Sequence, residues 1–410
     1  MLRSARVRDP SRQIVVTGAG ICCHLGDDLQ QIEATLRAGW TLPFIPSPIA
    51  VEMNSRSQLA GTYRGDLSLE RKVERFMGRA ARMAYKAAVA ALSQSGLSRR
   101  DIAVVAGSGT GDVATHIEVQ QSCAKPGGAR KVSPTAVPRM MSSTISANLA
   151  TVLGTTGPAF SASAACAGGA YNLLLAAELV EQGHVEAALA GGAEVADPDF
   201  IAGFDSMRAM NSKDNDHPDR ASRPYAADRA GFIFGEGAGM VVLETRAHAE
   251  ARGAAILGSL RGYGMSSDGS GEMVQPTEEG AVYAMERALR HAGVHAGQID
   301  YVNTHGTSTP LGDLCEIRAL RRVLGGRHLP YSSTKGYTGH TISAAGAIEA
   351  IFTLAMLRGG WIAPSAHAEP LDPELADYPP VLRPLSKPLE LALSNSLGFG
   401  GTNVSLVLGR

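Results

Sequence analysis

Short apolar runs alternate with longer segments of helical spacing over most of the 410-residue chain. In the first half, the apolar runs are typical of buried strands, and the other segments carry apolar residues three and four positions apart. Gly96 and Gly183 follow two of these segments, where glycine commonly ends a helix. Strands that alternate with helices predict a largely parallel sheet covered on both faces. The predicted strands cover residues 13–18, 101–109, 159–165, 186–192 and 239–243, and the predicted helices cover 27–37, 73–94 and 166–182.

The same alternation starts again after Ala254. The segment GGAEVAD at 191–197 corresponds in position to GFGGTNVS at 398–405, so the second half is interpreted as an altered copy of the first. No low-complexity linker separates the two, and we therefore expect residues 1–254 and 255–410 to form two halves around one shared core. The predicted strands of the second half cover 255–262, 299–303, 390–394 and 403–408, and its predicted helices cover 279–292, 312–324 and 343–358.

Charge and composition exclude some classes of function. The chain has 38 basic and 39 acidic side chains, and this balance argues against a nucleic-acid or membrane-surface protein held by bulk charge. With 47 glycines and only 5% aromatic residues, the chain is suited to tight turns and close backbone contacts. These features are typical of an α/β enzyme rich in small residues.

The cysteines and the N-terminal segment indicate a cytoplasmic protein. The five cysteines are odd in number and lack the C-x-x-C spacing, so neither a disulfide framework nor a zinc ribbon is expected. The first residues, MLRSARVRDPSRQ, contain no apolar core of a signal peptide, and no run of 18 uncharged apolar residues occurs. We therefore expect no membrane span.

Cys166 is the strongest candidate for a nucleophile. It lies in FSASAACAGGAYN, where a small-residue strand meets the start of a helix. Such a junction exposes a side chain on a sharp turn, and a helix N-terminus favours the thiolate. The other four cysteines are interpreted as small buried hydrophobic residues.

Two further loops carry histidine. His305 follows a predicted strand in VNTHGTSTPLGD, and His340 follows Lys335 in SSTKGYTGHTISAAGAIEA, which also contains Glu349. A single histidine at the end of a strand is more often structural than catalytic. The loops of Cys166, His305 and His340 all follow predicted strands. In α/β proteins, binding sites form in the crevice outside the carboxyl ends of the strands, so three such loops in one chain favour a shared site.

Four segments together resemble the signature blocks of the elongating β-ketoacyl-acyl carrier protein synthases. They are ACAGG around Cys166, NTHGTSTPLGD at 303–313, STKGYTGHTISAAGA at 333–347 and NSLGFGGTN at 395–403, and they occur in the family order. The segments RKVERFM at 71–77 and GSGTGD at 107–112 favour the bacterial type I branch. The resemblance implies a thiolase-like duplicated α/β fold, five-layered αβαβα with mixed sheets, normally in a homodimer.

The resemblance also implies a reaction and its residues. Cys166 would take an acyl group from the phosphopantetheine of acyl carrier protein, and malonyl-acyl carrier protein would then lose CO₂ and attack it in a decarboxylative Claisen condensation. His305 and His340 would polarise the malonyl thioester, and Lys335 and Glu349 would organise charge beside them. The backbone N–H groups of Cys166 and Phe399 would stabilise the oxyanion, with Phe399 also gating access for the acyl chain.

Binding residues follow from the same resemblance. Thr307 and Thr309 would bind the pantetheine arm, and the backbone at Gly400 and Gly401 would approach the substrate closely. No metal and no bound cofactor are expected. The acidic carrier protein would dock on basic residues, for which the candidates are Arg71, Lys72, Arg75, Arg130 and Lys131.

One departure from the family pattern concerns the pocket. Many relatives have Ala-Thr after the nucleophile, whereas this chain has Ala167-Gly168-Gly169, which predicts a roomier acyl pocket. The product would then be a fatty acid or a specialised chain such as a polyene or polyketide. Two alternatives stay open: a catalytic subunit paired with a chain-length factor, and a thiolase-type acyl-CoA enzyme. The second is disfavoured because the last 95 residues contain no cysteine.

Overall fold

The computed structural model describes residues 12–98, 100–269 and 272–410. These residues contain fifteen strands and fourteen α-helices. The strands are β1 (Ile14–Cys22), β2 (Ile45–Pro46), β3 (Leu59–Gly61), β4 (Ala103–Gly107), β5 (Ala159–Phe160), β6 (Ala187–Glu194), β7 (Phe234–Gly235), β8 (Gly237–Thr245), β9 (Gly258–Ser266), β10 (Tyr301–Asn303), β11 (Tyr331–Ser332), β12 (Trp361–Ile362), β13 (Leu385–Ser386), β14 (Leu391–Gly398) and β15 (Thr402–Gly409). The helices are α1 (Leu29–Ala38), α2 (Pro48–Glu52), α3 (Arg71–Glu74), α4 (Arg79–Ser95), α5 (Val113–Cys123), α6 (Ala136–Met140), α7 (Thr144–Leu153), α8 (Gly168–Glu181), α9 (Pro198–Ser206), α10 (Arg246–Ala251), α11 (Glu278–Ala292), α12 (Pro310–Val323), α13 (Lys335–Thr338) and α14 (Ala345–Gly359).

Ten strands form one hydrogen-bonded sheet in the order β11-β10-β14-β15-β9-β1-β8-β6-β4-β5. The order consists of two five-stranded halves that meet where β1 pairs with β9 over three residues. From that junction outward, each half has two antiparallel pairings followed by two parallel pairings. The second half therefore repeats the strand order and strand directions of the first, as expected for a duplicated mixed sheet.

The helices divide the molecule into five layers. Helices α8 and α14 pack against each other and against strands of both halves, so they form the central layer. Helices α4 and α7 cover the outer face of the first half, and α11 covers the outer face of the second half with α12 packed against it. Three large apolar clusters fill the spaces between these layers. The five-layered αβαβα fold predicted above is confirmed.

The sequence pattern was wrong about the direction of the strands and at two element boundaries. The predicted largely parallel sheet is mixed, because five of the nine strand pairings of the main sheet are antiparallel. The single helix predicted over 73–94 is broken, because α3 ends before Gly78 and α4 begins after it. A Cβ at Gly78 would lie 2.4 Å from the carboxylate of Asp112, so the chain passes too close there for a side chain. The strand predicted over 159–165 ends at Phe160, and side-chain hydrogen bonds from Ser161 and to Ala162 replace the sheet pairing.

Helix α14 shows why apolarity alone does not define a membrane span. The segment Ile342–Gly359 is long and apolar enough to cross a bilayer, although the sequence pattern predicted no such segment. In this structure it lies in the central layer, and every residue from Ala345 to Leu357 is buried. A helix that is apolar on all sides suits a position between two sheets.

Candidate active site

Cys166 lies in a tight turn at the start of α8. The 3-10 turn Ala165–Ala167 precedes the helix, and the cysteine is 6% exposed. Ala165 has a φ of 45°, a left-handed conformation that residues other than glycine seldom adopt. The backbone immediately before Cys166 is therefore strained, and contacts from the surrounding structure must support it.

The two histidines lie next to this thiol. The Sγ atom of Cys166 and a ring nitrogen of each of His305 and His340 all lie within 4.8 Å of one another. The two imidazole centroids are 5.1 Å apart, and the ring planes are nearly perpendicular, at 86°. Three loops from distant parts of the chain thus bring a sulfur and two imidazoles together, as the sequence pattern predicted. Of the other cysteines, Cys22 and Cys23 are buried as expected, whereas the expectation is wrong for Cys123, which is exposed, and for Cys315, which is half-buried.

Burial keeps all three reacting groups uncharged. It raises the pKa of the Cys166 thiol to about 11, although Lys335 and the backbone N–H of Phe399 lower it. Burial also lowers the pKa of His305 and His340 well below the usual range, and the charge of Lys335 acts in the same direction. Burial thus opposes the thiolate that the helix N-terminus was expected to favour.

Lys335 and Glu349 form a buried ion pair beside His305. The Nζ atom of Lys335 lies 3.4 Å from Nδ1 of His305. Because an ammonium group only donates hydrogen bonds, Nδ1 accepts, and the proton of the neutral imidazole is on Nε2. Burial raises the pKa of Glu349 to about 7, and Lys335 opposes that rise. Lys335 thus fixes the tautomer of His305.

Buried carboxylates that the sequence analysis missed hold the His305 loop. Glu316 accepts hydrogen bonds from the backbone N–H groups of His305 and Gly306, each at 2.9 Å. Asp313 accepts from the N–H of Ser308 and forms a buried ion pair with Arg229 at 3.2 Å. Asp313 and Glu316 share one face of α12 with buried Ile317 and Leu320. An acid on the apolar face of a predicted helix was the signal that could have identified them.

A cavity of about 590 Å³ opens onto the thiol and both imidazoles. Four other predicted site residues, Thr307, Thr309, Phe399 and Gly401, also line it. The hydroxyl oxygens of the two threonines lie 2.9 Å apart, so the pair forms one polar spot on an otherwise largely apolar wall. Gly400 is outside the lining, and its φ of 77° supplies the turn between β14 and β15.

Gly168 and Gly169 do not enlarge the pocket. A Cβ added to Gly168 would lie 2.5 Å from Oγ of Ser343, and one added to Gly169 would lie 2.8 Å from the backbone oxygen of Ser343. The space that the missing side chains leave is filled by the turn Ile342–Ala344 and, beside Gly169, also by Ala347 of the central helix α14. The expectation of a roomier acyl pocket is therefore wrong at these two positions.

The predicted docking residues lie on the surface and away from the cavity wall. All five are exposed, and none lines the cavity: Arg71, Lys72, Arg75, Arg130 and Lys131. Two exposed cations that the sequence analysis missed, Arg208 and Lys213, do line it. Basic charge is thus present at the cavity itself as well as on the predicted surface.

The donor set could also bind a metal ion. A thiolate and two imidazoles with ligand atoms this close suit a tetrahedral cation such as Zn²⁺. Such an ion would occupy the sulfur and both ring nitrogens that thioester chemistry needs. The expectation that the site works without a metal stays a prediction.

Comparisons with known proteins agree with this geometry. Residues 11–249 match the model of the "Beta-ketoacyl synthase, N-terminal domain", and residues 257–369 match that of the "Beta-ketoacyl synthase, C-terminal domain". The chain is 40% identical over 409 residues to the 3-oxoacyl-[acyl-carrier-protein] synthase 1 of Haemophilus influenzae, covering 97% of this chain and 99% of the relative.

Solved structures show the same fold. A β-ketoacyl synthase from Burkholderia phymatum matches with a TM-score of 0.91 and 35% identity, over 97% of this chain and 99% of its own. The ishigamide ketosynthase/chain length factor matches with a TM-score of 0.86 and 29% identity, over 98% and 99% of the two chains. The resemblance seen in the four sequence blocks is confirmed, and the chain belongs to the β-ketoacyl synthase family.

Proposed function

We propose that this chain joins an acyl group held on Cys166 to malonyl-acyl carrier protein, with loss of CO₂, to form a β-ketoacyl-carrier protein. The observation that carries the proposal is the meeting of one thiol and two imidazoles in a single cavity. A transfer to sulfur needs the thiol, and a decarboxylation needs donors for the enolate oxygen. Both requirements are met within a few ångströms.

The first step is acyl transfer to Cys166. Its Sγ attacks the thioester carbonyl carbon, the new C–S bond forms, and the bond to the pantetheine sulfur breaks. His340 accepts the thiol proton and returns it to the leaving thiolate, which balances the step. His305 does not accept it, because its Nε2 already carries the ring proton and its Nδ1 faces Lys335. The backbone N–H groups of Cys166 and Phe399 both lower the pKa of the thiol, so both lie close to Sγ. They can therefore donate hydrogen bonds to the oxyanion that develops beside the sulfur.

The second step is decarboxylation and C–C bond formation. The C–C bond to the malonyl carboxylate breaks and CO₂ leaves. The electron pair of that bond stays on the thioester fragment, which becomes an enolate. His305 donates its Nε2–H to the enolate oxygen, and His340 donates to it once its ring proton has moved to the nitrogen that faces the cavity, because no hydrogen bond holds its Nδ1. The enolate carbon bonds to the acyl carbon. Cys166 leaves as a thiolate and takes up a proton from solvent. Neutral imidazoles suit this role, because burial and Lys335 keep both rings uncharged.

The substrates are carried on the phosphopantetheine of acyl carrier protein, and no bound cofactor takes part. Thr307 and Thr309 would bind the pantetheine arm, and Gly400 and Gly401 would shape the backbone around it. The acidic carrier would dock on the five predicted basic residues, with Arg208 and Lys213 closer to the cavity. The reaction serves cytoplasmic synthesis of fatty acids or of a specialised fatty-acid-like or polyketide chain. The curated relatives are named 3-oxoacyl-[acyl-carrier-protein] synthases, which supports the condensation itself.

The active unit is a homodimer, with pairing to a chain-length factor as the alternative assembly. Strand β5 lies at the outer edge of the sheet, and both of its residues are exposed. The ishigamide match is itself a ketosynthase/chain length factor, which keeps the alternative open.

Acyl-enzyme formation tests the proposal. The chain is incubated with acyl-carrier protein, and intact-mass analysis is expected to show one acyl adduct that Cys166→Ala abolishes and the exposed-cysteine control Cys123→Ala retains. His340→Ala is expected to release CO₂ from malonyl-carrier protein about 100-fold more slowly. An adduct on another cysteine rejects the role of Cys166, and unchanged CO₂ release in His340→Ala rejects the role of that histidine.

A further inference from the structure

The turn that carries Cys166 has a counterpart in the second half of the molecule. Ala165–Ala167 is a 3-10 turn that leads into α8, and Ile342–Ala344 is a 3-10 turn that leads into α14. Each turn begins with a left-handed residue, with φ of 45° at Ala165 and 44° at Ile342. Each is followed by a helix of the central layer. In this duplicated fold, Ser343 therefore corresponds to Cys166.

The two turns contact each other directly. The Oγ atom of Ser343 donates a hydrogen bond of 3.2 Å to the backbone oxygen of Ala165, the strained residue before the cysteine. Its hydroxyl also fills the position beside Gly168, where a Cβ would lie 2.5 Å away. The glycine after the nucleophile and the serine of the second turn thus share one volume.

A buried carboxylate fixes the second turn to the sheet. Glu194 is the last residue of β6, and its Oε2 atom accepts a hydrogen bond of 2.8 Å from the backbone N–H of Gly109. The backbone N–H of Ser343 is also close enough to counteract the rise in the pKa of Glu194 that burial causes. Both Glu194 and Ser343 are almost fully buried. The second turn is therefore a fixed support against which the cysteine turn can be held.

We propose that Ser343 is a positioning residue for Cys166. Its hydroxyl holds the left-handed Ala165 peptide, so that Sγ faces the N–H of Phe399 and the imidazole of His340, which lies three residues before the serine. Ser343 does not line the cavity, and so it acts through the turn and not on the substrate. The inference rests on the proposed role of Cys166 as the nucleophile.

A double-mutant cycle tests the proposal through alkylation of Cys166 by iodoacetamide at pH 8, followed on the Cys166 peptide by mass spectrometry. Ser343→Ala is expected to slow alkylation about fivefold, because the Ala165 carbonyl loses its partner. Gly168→Ala is expected to do the same by displacing the hydroxyl. The double variant is expected to match Ser343→Ala alone, because an alanine Cβ at position 343 lies at an ordinary 3.4 Å.

Additive effects, or an unchanged rate in Ser343→Ala, would overturn the proposal. If Gly168→Ala does not fold, restored folding in the double variant supports the shared volume, and continued failure contradicts it. Gly203→Ala on α9, where a Cβ meets nothing within 4 Å, is the matched control and keeps the wild-type rate. Alkylation requires no carrier protein, so failure of condensation in the wild-type chain would reject the proposed function and leave this result standing.

Discussion

Lys335 acts on the reacting groups through its charge. It is buried, it lies against Nδ1 of His305, and its ammonium disfavours a second positive charge on either imidazole. A histidine whose pKa is lowered in this way stays neutral as the pH falls through its usual value of about 6.5. The site can therefore keep a proton acceptor for the thiol in mildly acidic solution.

We expect Lys335→Met to add an acidic limb to the pH profile of acyl-enzyme formation. Without the ammonium, the pKa of both histidines rises, but burial is the larger cause of its lowering and keeps it below the usual value of about 6.5. A protonated ring therefore replaces the proton acceptor at a pH lower than that value, but at a higher pH than in the wild-type chain. The rates are measured between about pH 4.5 and 8 by stopping the reaction and determining the intact mass. Lys125→Met, at an exposed lysine, is the control. A variant profile that runs parallel to the wild type would contradict this role of Lys335.

At the scale of elements, α12 organises the loop that carries His305. Glu316 on this helix accepts two backbone N–H groups from the loop and an amide N–H from Asn395 on β14. A carboxylate can accept all three hydrogen bonds, whereas an amide turns one of its two ends into a donor. The loop geometry therefore depends on the charge-bearing acid and not only on its size.

We expect Glu316→Gln to weaken decarboxylation and stability together. One buried N–H would face another donor, at a cost of about 1–3 kcal/mol. A barrier raised by that amount slows CO₂ release about 5- to 160-fold. Thermal unfolding and CO₂ release from malonyl-carrier protein measure the two effects. Glu374→Gln, in the exposed ion pair with Arg318, should leave both unchanged. Normal CO₂ release in Glu316→Gln would show that the loop holds its geometry without this acid.

The sequence predicted the elements that local patterns define and missed what depends on distant contacts. Nine of the ten strands of the main sheet were recognised from apolar runs, and the five longest helices were recognised from apolar spacing and from glycine ends such as Gly96. Helices α5 and α7 were missed. The break at Gly78 was missed, because the contact that excludes a side chain there comes from Asp112, 34 positions away. The support that Ser343 gives to Ala165 was missed for the same reason, since 178 positions separate them.

The candidate site divides in the same way. The sequence blocks identified Cys166, His305 and His340, because family motifs record which residue types are present. They did not predict the uncharged thiol, since its pKa depends on how completely the fold removes water from the sulfur. The wrong estimate of pocket size around Gly168 has a similar origin, because the neighbour that fills the space comes from the other half of the chain.

At the scale of the whole molecule, the two ends of the main sheet differ. Strand β11 at one end is buried, and its Tyr331 carbonyl accepts a hydrogen bond from Val381. Strand β5 at the other end is exposed, and the Phe160 side chain there is 37% exposed. An open edge with an apolar side chain is a template for pairing with another strand. A second copy related by a two-fold axis would continue the sheet through β5.

We expect Phe160→Asp to convert a homodimer into a monomer. A charge on the edge strand opposes both apolar contact and close approach of an identical strand, which would carry the same charge. Size-exclusion chromatography with light scattering should give about twice 42.7 kDa for the wild-type chain and the single-chain mass for the variant. Trp40→Asp, at an apolar side chain 73% exposed elsewhere on the surface, should stay dimeric. A wild-type chain that is monomeric alone, and pairs only when its genomic neighbour is co-expressed, would replace the homodimer with the chain-length-factor assembly.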